Sequence, residues 1–389
     1  MNNKLNYSEN RFLMFDMDNI ANHLEASGKK VIRMTLGKSE LPLHSSITGA
    51  MKNALEDFGI SSLVYPSGLP EFKNKLSDYY KQSYGVSINP ENIIISPGTS
   101  SIFRNLFHLL SNENDEVLLP LPYYSLYRFS ALLRNAKIKY YNIDLDTLEI
   151  DKSSFLNNLS ERTKIVVINT PGNPLGNIID KRQMYEIDEM VNGKAVIISD
   201  EIYNNVYFTD GFKSVTQLKN TKSEFIATNS FSKAYRMYSR RVGYCIVPDR
   251  LIEPMTVIQH HTLLTTDPVV QYGAMAALDY ENEVEYLCAL YKERRDYTIK
   301  RLSQLSDVRP ILSNGGFYIT LDCGEFMRKN NYTSSFELAK DIINTKYVAT
   351  VPGTDFGLPN TLRLSFSSNL FNEGIDLLYD FFTKGIRSC

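Results

Sequence analysis

Tryptophan is missing from the 389 residues, and cysteine and histidine are scarce, at four and five. The cysteines (Cys245, Cys288, Cys323 and Cys389) stand far apart, with no CxxC pair and no histidine close enough to complete a zinc site. The simple reading is free thiols in a reduced, cytoplasmic setting. His23, His44, His108, His260 and His261 have no metal-ligand company. No apolar run approaches the roughly 18 residues a spanning helix needs. The opening MNNKLNYSENRFLMFDMDNI is too polar and charged for a secretory signal. Charge of one sign is lacking too, since 42 Lys and Arg meet 44 Asp and Glu for a net charge of -2. The one basic cluster, Arg236 with Arg240 and Arg241, is too short to advertise nucleic acid or membrane. Repeats and low-complexity segments are absent.

What is there is ordinary for a globular chain, with 43% hydrophobic and 22% charged residues, enough for two domains with a substantial core. Short β-branched apolar runs alternate with helical stretches through the middle. They are Asn92–Ser96, Glu116–Leu119, Lys137–Tyr141, Lys164–Asn169, Ala195–Ser199, Glu224–Thr228 and Gly243–Val247. Continuous apolar runs this short, bounded by Gly, Pro, Asn or Asp, suit strands buried on both faces of a largely parallel sheet. Intervening helices make the class α/β. Ile102, Leu106, Leu109 and Leu110 predict an amphipathic helix just after a Ser-Pro-Gly turn. After a long charged helix (about Glu281–Leu305), GGFYITL, a helix near Ser335–Asn344 and TLRLSFS form an α+β pattern. The expected division is a large domain over 46–285 and a small one over 286–389, joined by an N-terminal segment, 1–45.

Several chemical groups converge on one edge of the predicted sheet. The segment Asn229-Ser-Phe-Ser-Lys233 follows a strand, putting Lys233 at a carboxyl end, where open α/β sheets bind ligands. Ser96-Pro-Gly-Thr-Ser-Ser101 opens a helix, and its N–H groups with the Thr99 and Ser100 hydroxyls make a phosphate seat at the positive end of the helix dipole. Asn169-Thr-Pro-Gly-Asn-Pro-Leu-Gly176 follows KIVVI, and Asp200-Glu-Ile-Tyr203 follows AVIIS. Pyridoxal chemistry has a use for each type. A lysine forms a Schiff base and later moves a proton. A carboxylate keeps the pyridine nitrogen protonated, while Asn and Tyr hydrogen-bond the ring's phenolate oxygen. One arginine can grip a phosphate and another can fork onto a carboxylate.

The motifs YPSGLPEFKNKL, IIISPGTSS, LPLPYYSLY, NTPGNPLG, ISDEIY, NSFSKAYRMYSRRVGY, NGGFYI, VPGTDFG and TLRLSFS occur in that order. With the separations Asp200 to Tyr203, Asp200 to Lys233, Lys233 to Arg241 and Lys233 to Arg363, they make the chain resemble the class I/II, or fold-type I, pyridoxal-phosphate aminotransferases. The likeness runs from about Val31 to Ser367. It implies a fold of that type, a large domain with a mostly parallel sheet flanked by helices plus a smaller α+β domain. It implies pyridoxal 5'-phosphate as cofactor, on Lys233. Asp200 would sit at the pyridine nitrogen, Asn173 and Tyr203 at O3′, and Tyr124 on the ring face. Thr99, Ser100, Ser230, Ser232 and Arg241 would surround the phosphate. Arg363 would bind the substrate α-carboxylate with help from Asn173 and the backbone of Gly37. Tyr65 would reach the phosphate of a neighbouring subunit in a homodimer with shared active sites. Ser239-Arg240 stand where the family often has Gly-Trp, so two adjacent arginines compete for the phosphate, and the distance from Lys233 favours Arg241. GKSELPLHSS compresses the family's substrate-side loop.

The implied reaction moves an amino group between an α-amino acid and a 2-keto acid, by a ping-pong mechanism. β-Elimination, decarboxylation, racemisation and oxidation use the same scaffold, so the fold alone does not choose among them. A non-catalytic scaffold is a third reading. Lys233, Asp200, Asn173, Tyr203 and Arg363 occurring together argue against it. No second carboxylate clamp is identifiable, so nothing obliges a dicarboxylic substrate.

Overall fold

The computed structural model describes residues 11–209 and 213–384. Cys389 and the first ten residues of the N-terminal segment lie outside the described residues. A two-residue strand, β1 (Ile32–Arg33), comes first. Seven strands then build the central sheet: β2 (Ile93–Ser96), β3 (Glu116–Leu121), β4 (Lys137–Asn142), β5 (Thr163–Asn169), β6 (Val196–Asp200), β7 (Phe225–Ser230) and β8 (Gly243–Ile246). Their spatial order is β2-β8-β7-β6-β5-β3-β4. All seven apolar runs read from the sequence lie in it.

The sheet is parallel except for β8, which opposes both β2 and β7. The cause is local. Residues 231–242 contain one 3-10 turn (Tyr238–Arg240) and no crossover helix, and a chain without a crossover returns antiparallel. The strands β2, β3, β5, β6 and β7 therefore end at the same edge. Alternate side chains of each strand enter cores on opposite faces. Ile94, Val117, Val167, Ile198 and Ile226 pack on one side, and Ile95, Leu118, Val166, Ile197 and Ala227 on the other. Burial on both faces explains why these strands read as unbroken apolar runs.

Beyond the helix Glu281–Leu302 lie β9 (Arg309–Ile311), β10 (Tyr318–Asp322), β11 (Val348–Ala349), β12 (Val351–Pro352) and β13 (Thr361–Ser365). Four of them form an antiparallel sheet in the order β12-β13-β10-β9. The amino-terminal β1 pairs in parallel with β11, Ile32 against Val348. The helix Leu13–Ala26 is started by Asp355, whose carboxylate accepts from Leu13 N (2.8 Å) and Met14 N (2.9 Å). Among the described residues no helix is long and apolar enough to cross a membrane, and no cluster of His, Cys, Asp and Glu could hold a metal ion.

Candidate active site

A cavity of about 440 Å³ opens at the common edge of the central strands. Thr99, Ser100, Tyr124, Asn173, Asp200, Tyr203, Ser232, Lys233 and Arg241, all expected from the sequence, line it. Register sets part of this. Asn169 and Asp200 are direct partners across β5 and β6, so the amide-bearing loop and the acid leave the sheet side by side. Asn169 Nδ2 donates to Asp200 O (2.9 Å), and its Oδ1 accepts from Asn173 N (2.7 Å).

Asp200 lines the cavity and is buried. Burial pushes its carboxyl up to about 6, opposed by a hydrogen bond from Tyr127, the Ile202 N–H, the Thr228 hydroxyl and the charge of Lys233. The Tyr127 phenol donates to Asp200 Oδ2 at 2.6 Å. Lys233 is buried, and burial lowers its amine below the ordinary lysine range. Its Nζ donates to Gly37 O at 2.9 Å.

The other end of the cavity suits an anion. The helix Thr99–Leu110 begins at Gly98, whose φ of +81° favours glycine. A Cβ there would also lie 2.3 Å from Arg241 Nη2, so the guanidinium rests against the helix start. Arg241 Nη1 donates to Ser232 Oγ (3.2 Å) and Tyr238 O (3.0 Å). Ser230 stands behind this group, its Oγ donating to Ser232 Oγ (2.8 Å). A helix N-terminus, hydroxyls and an arginine at one end, with a buried carboxyl and an amine deeper in, fit the phosphate, pyridine nitrogen and aldehyde of pyridoxal phosphate.

Arg363 is buried on β13 beside the cavity. It donates through Nη1 to Asn173 Oδ1 (3.1 Å) and through Nη2 to Thr35 O, and its buried Nε has no hydrogen-bond partner. Tyr65 is placed elsewhere: it is 40% exposed, and its backbone is tied to the Thr265 hydroxyl. Sequence reasoning missed Tyr127, Tyr238 and Tyr318, which also line the cavity. All three lie inside the motifs quoted above, but motif membership does not say which way a side chain points. Glu201, next to Asp200, is fully buried and pushed up to about 7 by burial, and it accepts from Val215 N (2.8 Å).

Comparison with known proteins agrees with this geometry. The family model described as aminotransferase class I and II matches residues 29–381. The (5-formylfuran-3-yl)methyl phosphate transaminase of Methanocaldococcus jannaschii is 31% identical over 385 residues, 96% of this chain and 97% of the relative. The aspartate aminotransferase of Sulfolobus acidocaldarius is 27% identical over 370 residues, 93% of this chain and 92% of the relative. The solved aspartate aminotransferase of Thermotoga maritima superposes with a TM-score of 0.88 at 24% identity, covering 98% of this chain and 100% of that one. The chain belongs to the class I and II aminotransferases, pyridoxal-phosphate-dependent enzymes of fold type I.

Proposed function

We propose that this cavity moves amino groups between α-amino acids and 2-keto acids, with Lys233 as the cofactor lysine. Asp200 holds the pyridine nitrogen, Asn173 and Tyr203 the ring's O3′, and Tyr124 the ring face. Thr99, Ser100, Ser230, Ser232 and Arg241 hold the phosphate, while Arg363, Asn173 and the Gly37 backbone receive the substrate carboxylate. One observation carries this reading. A buried amine, a buried carboxyl and an arginine-capped helix start share one cavity at the carboxyl ends of the central strands.

Bound pyridoxal phosphate supplies an electron-drawing ring that makes the substrate Cα–H acidic. Lys233 is suited to take up that proton and return it, because burial favours its neutral form. Arg363 orients the substrate by its carboxylate, beside the tyrosines that line the cavity. Asp200 acts as an anion, and Tyr127 keeps it one.

With the Tyr127→Phe substitution, the donor that lowers the acid is lost and burial pushes Asp200 higher. More of it is then protonated at neutral pH, so the acid limb of kcat/KM moves up and the rate at pH 7 falls about two- to tenfold. A pH–rate profile with an unmoved acid limb removes Tyr127 from this role.

The test of the whole reading is to add amino acids singly to the holo-protein and follow conversion of the cofactor aldehyde to its amine form by absorbance. Failure with every donor refutes it. Pyruvate and ammonia, or carbon dioxide, released without a keto acid would indicate a different reaction.

The reading extends to a homodimer. Leu55 and Phe58 are exposed on two contacting helices, Ser45–Glu56 and Phe58–Ser61, and Val64, Tyr65 and Leu264 are exposed around the hydrogen bonds between Tyr65 and Thr265; exposed apolar side chains so placed favour an interface. Tyr65 is then free to reach the partner's phosphate. Sedimentation at micromolar concentration should give twice the chain mass of 44.5 kDa, and a monomer contradicts it. Residues 46–285 are proposed as the cofactor-binding domain, with 1–45 and 286–389 forming the other. Cys245, Cys288 and Cys323 are free thiols, in keeping with a cytoplasmic setting.

A further inference from the structure

Tyr318 opens β10 and is buried. Across the antiparallel ladder Tyr318 faces Ser365 and Thr320 faces Arg363, so Tyr318 and Arg363 are diagonal neighbours on one side of the sheet. The guanidinium carbon lies 4.1 Å from the Tyr318 ring centre and 4.7 Å from that of Phe356, within cation–π range of both. At its other end the Tyr318 hydroxyl accepts from Tyr203 Oη (3.2 Å) and acts electrostatically on the Lys233 amine. Gly37 closes the same point. A Cβ built on it would fall 2.1 Å from Tyr318 Oη and 2.8 Å from Lys233 Nζ, so a side chain there would displace both.

We propose that Tyr318 is a positioning residue for both Lys233 and Arg363, its hydroxyl holding the amine and its ring holding the guanidinium. The inference rests on the assignment of those two residues above. Electrostatics agree with the geometry. Burial raises the Tyr318 phenol most, but the charges of Lys233 and Arg363 together with the hydrogen-bonding influence of Tyr203 and Lys233 bring the phenol below its ordinary value. Burial lowers the Lys233 amine; Tyr318 opposes that, while Arg363 and Arg241 add to it. Asp200, Tyr124, Tyr203, Tyr238 and Tyr291 are the other titratable groups that interact with this pair. Tyr318 thus favours the protonated amine.

Two variants separate the two ends of the side chain. Tyr318→Phe keeps the ring and loses the hydroxyl, and Tyr318→Leu loses both. Acetic anhydride labelling of Lys233 across pH, in the full chain freed of cofactor, is read by mass spectrometry. The half-point of labelling should fall in Tyr318→Phe by about one pH unit, a tenfold loss of proton affinity. The KM for amino acids should change less than about threefold in Tyr318→Phe and rise about tenfold in Tyr318→Leu. An unmoved half-point in Tyr318→Phe overturns the inference, as does an unchanged KM in a folded Tyr318→Leu. Borohydride trapping of the wild type keeps the parent assignment separate. An adduct on another lysine overturns the role of Lys233, whereas a normal adduct with an unmoved half-point overturns only the role of Tyr318.

Discussion

Lys233→Ala should lose at least about four orders of magnitude in kcat, because on the proposed assignment one side chain both anchors the cofactor and carries the substrate proton. Its Nζ sits 5.3 Å from the Tyr238 ring centre, 5.8 Å from that of Tyr203 and 5.9 Å from that of Phe317. Among the described residues no carboxylate pairs with it directly, so its removal leaves no stranded partner charge there. A buried amine held only by neutral oxygens such as Gly37 O is costly, so the cofactor-free variant should melt close to the cofactor-free wild type. It should still bind cofactor through the phosphate end, where Arg241, Ser232 and the helix start are untouched. Borohydride should leave no adduct at this position, and methylamine should restore a small part of the rate by occupying the vacated space. The measurement is steady-state turnover beside cofactor content. Turnover within a hundredfold of wild type, with cofactor retained, shows that another base moves the proton.

The fold was legible where burial is two-sided. NIIIS, KIVVIN and AVIIS stand out because a strand covered on both faces has no polar alternation to confuse it. Strands β1 and β11, two residues each, carry no such signal. The reversal of β8 depends on what the link before it lacks, which an apolar run cannot disclose. At the site, the residues on strand ends were readable because turn-forming Gly, Pro and Asn mark those ends. Tyr127, Tyr238 and Tyr318 were not. In a chain with 25 tyrosines, a hydroxyl's importance depends on a partner distant in sequence: Tyr127 meets Asp200 across 73 positions, and Tyr203 meets Tyr318 across 115. The choice between Arg240 and Arg241 was near the limit of what spacing can decide. The backbone at Arg241 is left-handed, with φ of 57°, and its guanidinium lies against Gly98.

Arg363→Ala should lower kcat/KM about a thousandfold for the amino acid and the keto acid alike, since both carry the carboxylate it is proposed to receive. The guanidinium lies within cation–π range of the Tyr318 and Phe356 rings and donates to Asn173 Oδ1 and Thr35 O, while its buried Nε has no partner among the described residues. A planar group clamped this way is ordered before substrate arrives, so little rotamer entropy is lost on binding. Truncation removes the charge and strands the Asn173 and Thr35 oxygens, each costing about 1–3 kcal/mol if water cannot reach it. Melting should therefore drop along with activity. Arg363→Lys keeps the charge but not the fork, and should recover under about a tenth of the lost kcat/KM. The decisive control is a primary amine without a carboxylate. It should react at similar, slow rates with wild type and Arg363→Ala, because it never used the guanidinium. If that amine loses as much as the amino acids do, Arg363 supports the fold of the site and does not bind the substrate carboxylate.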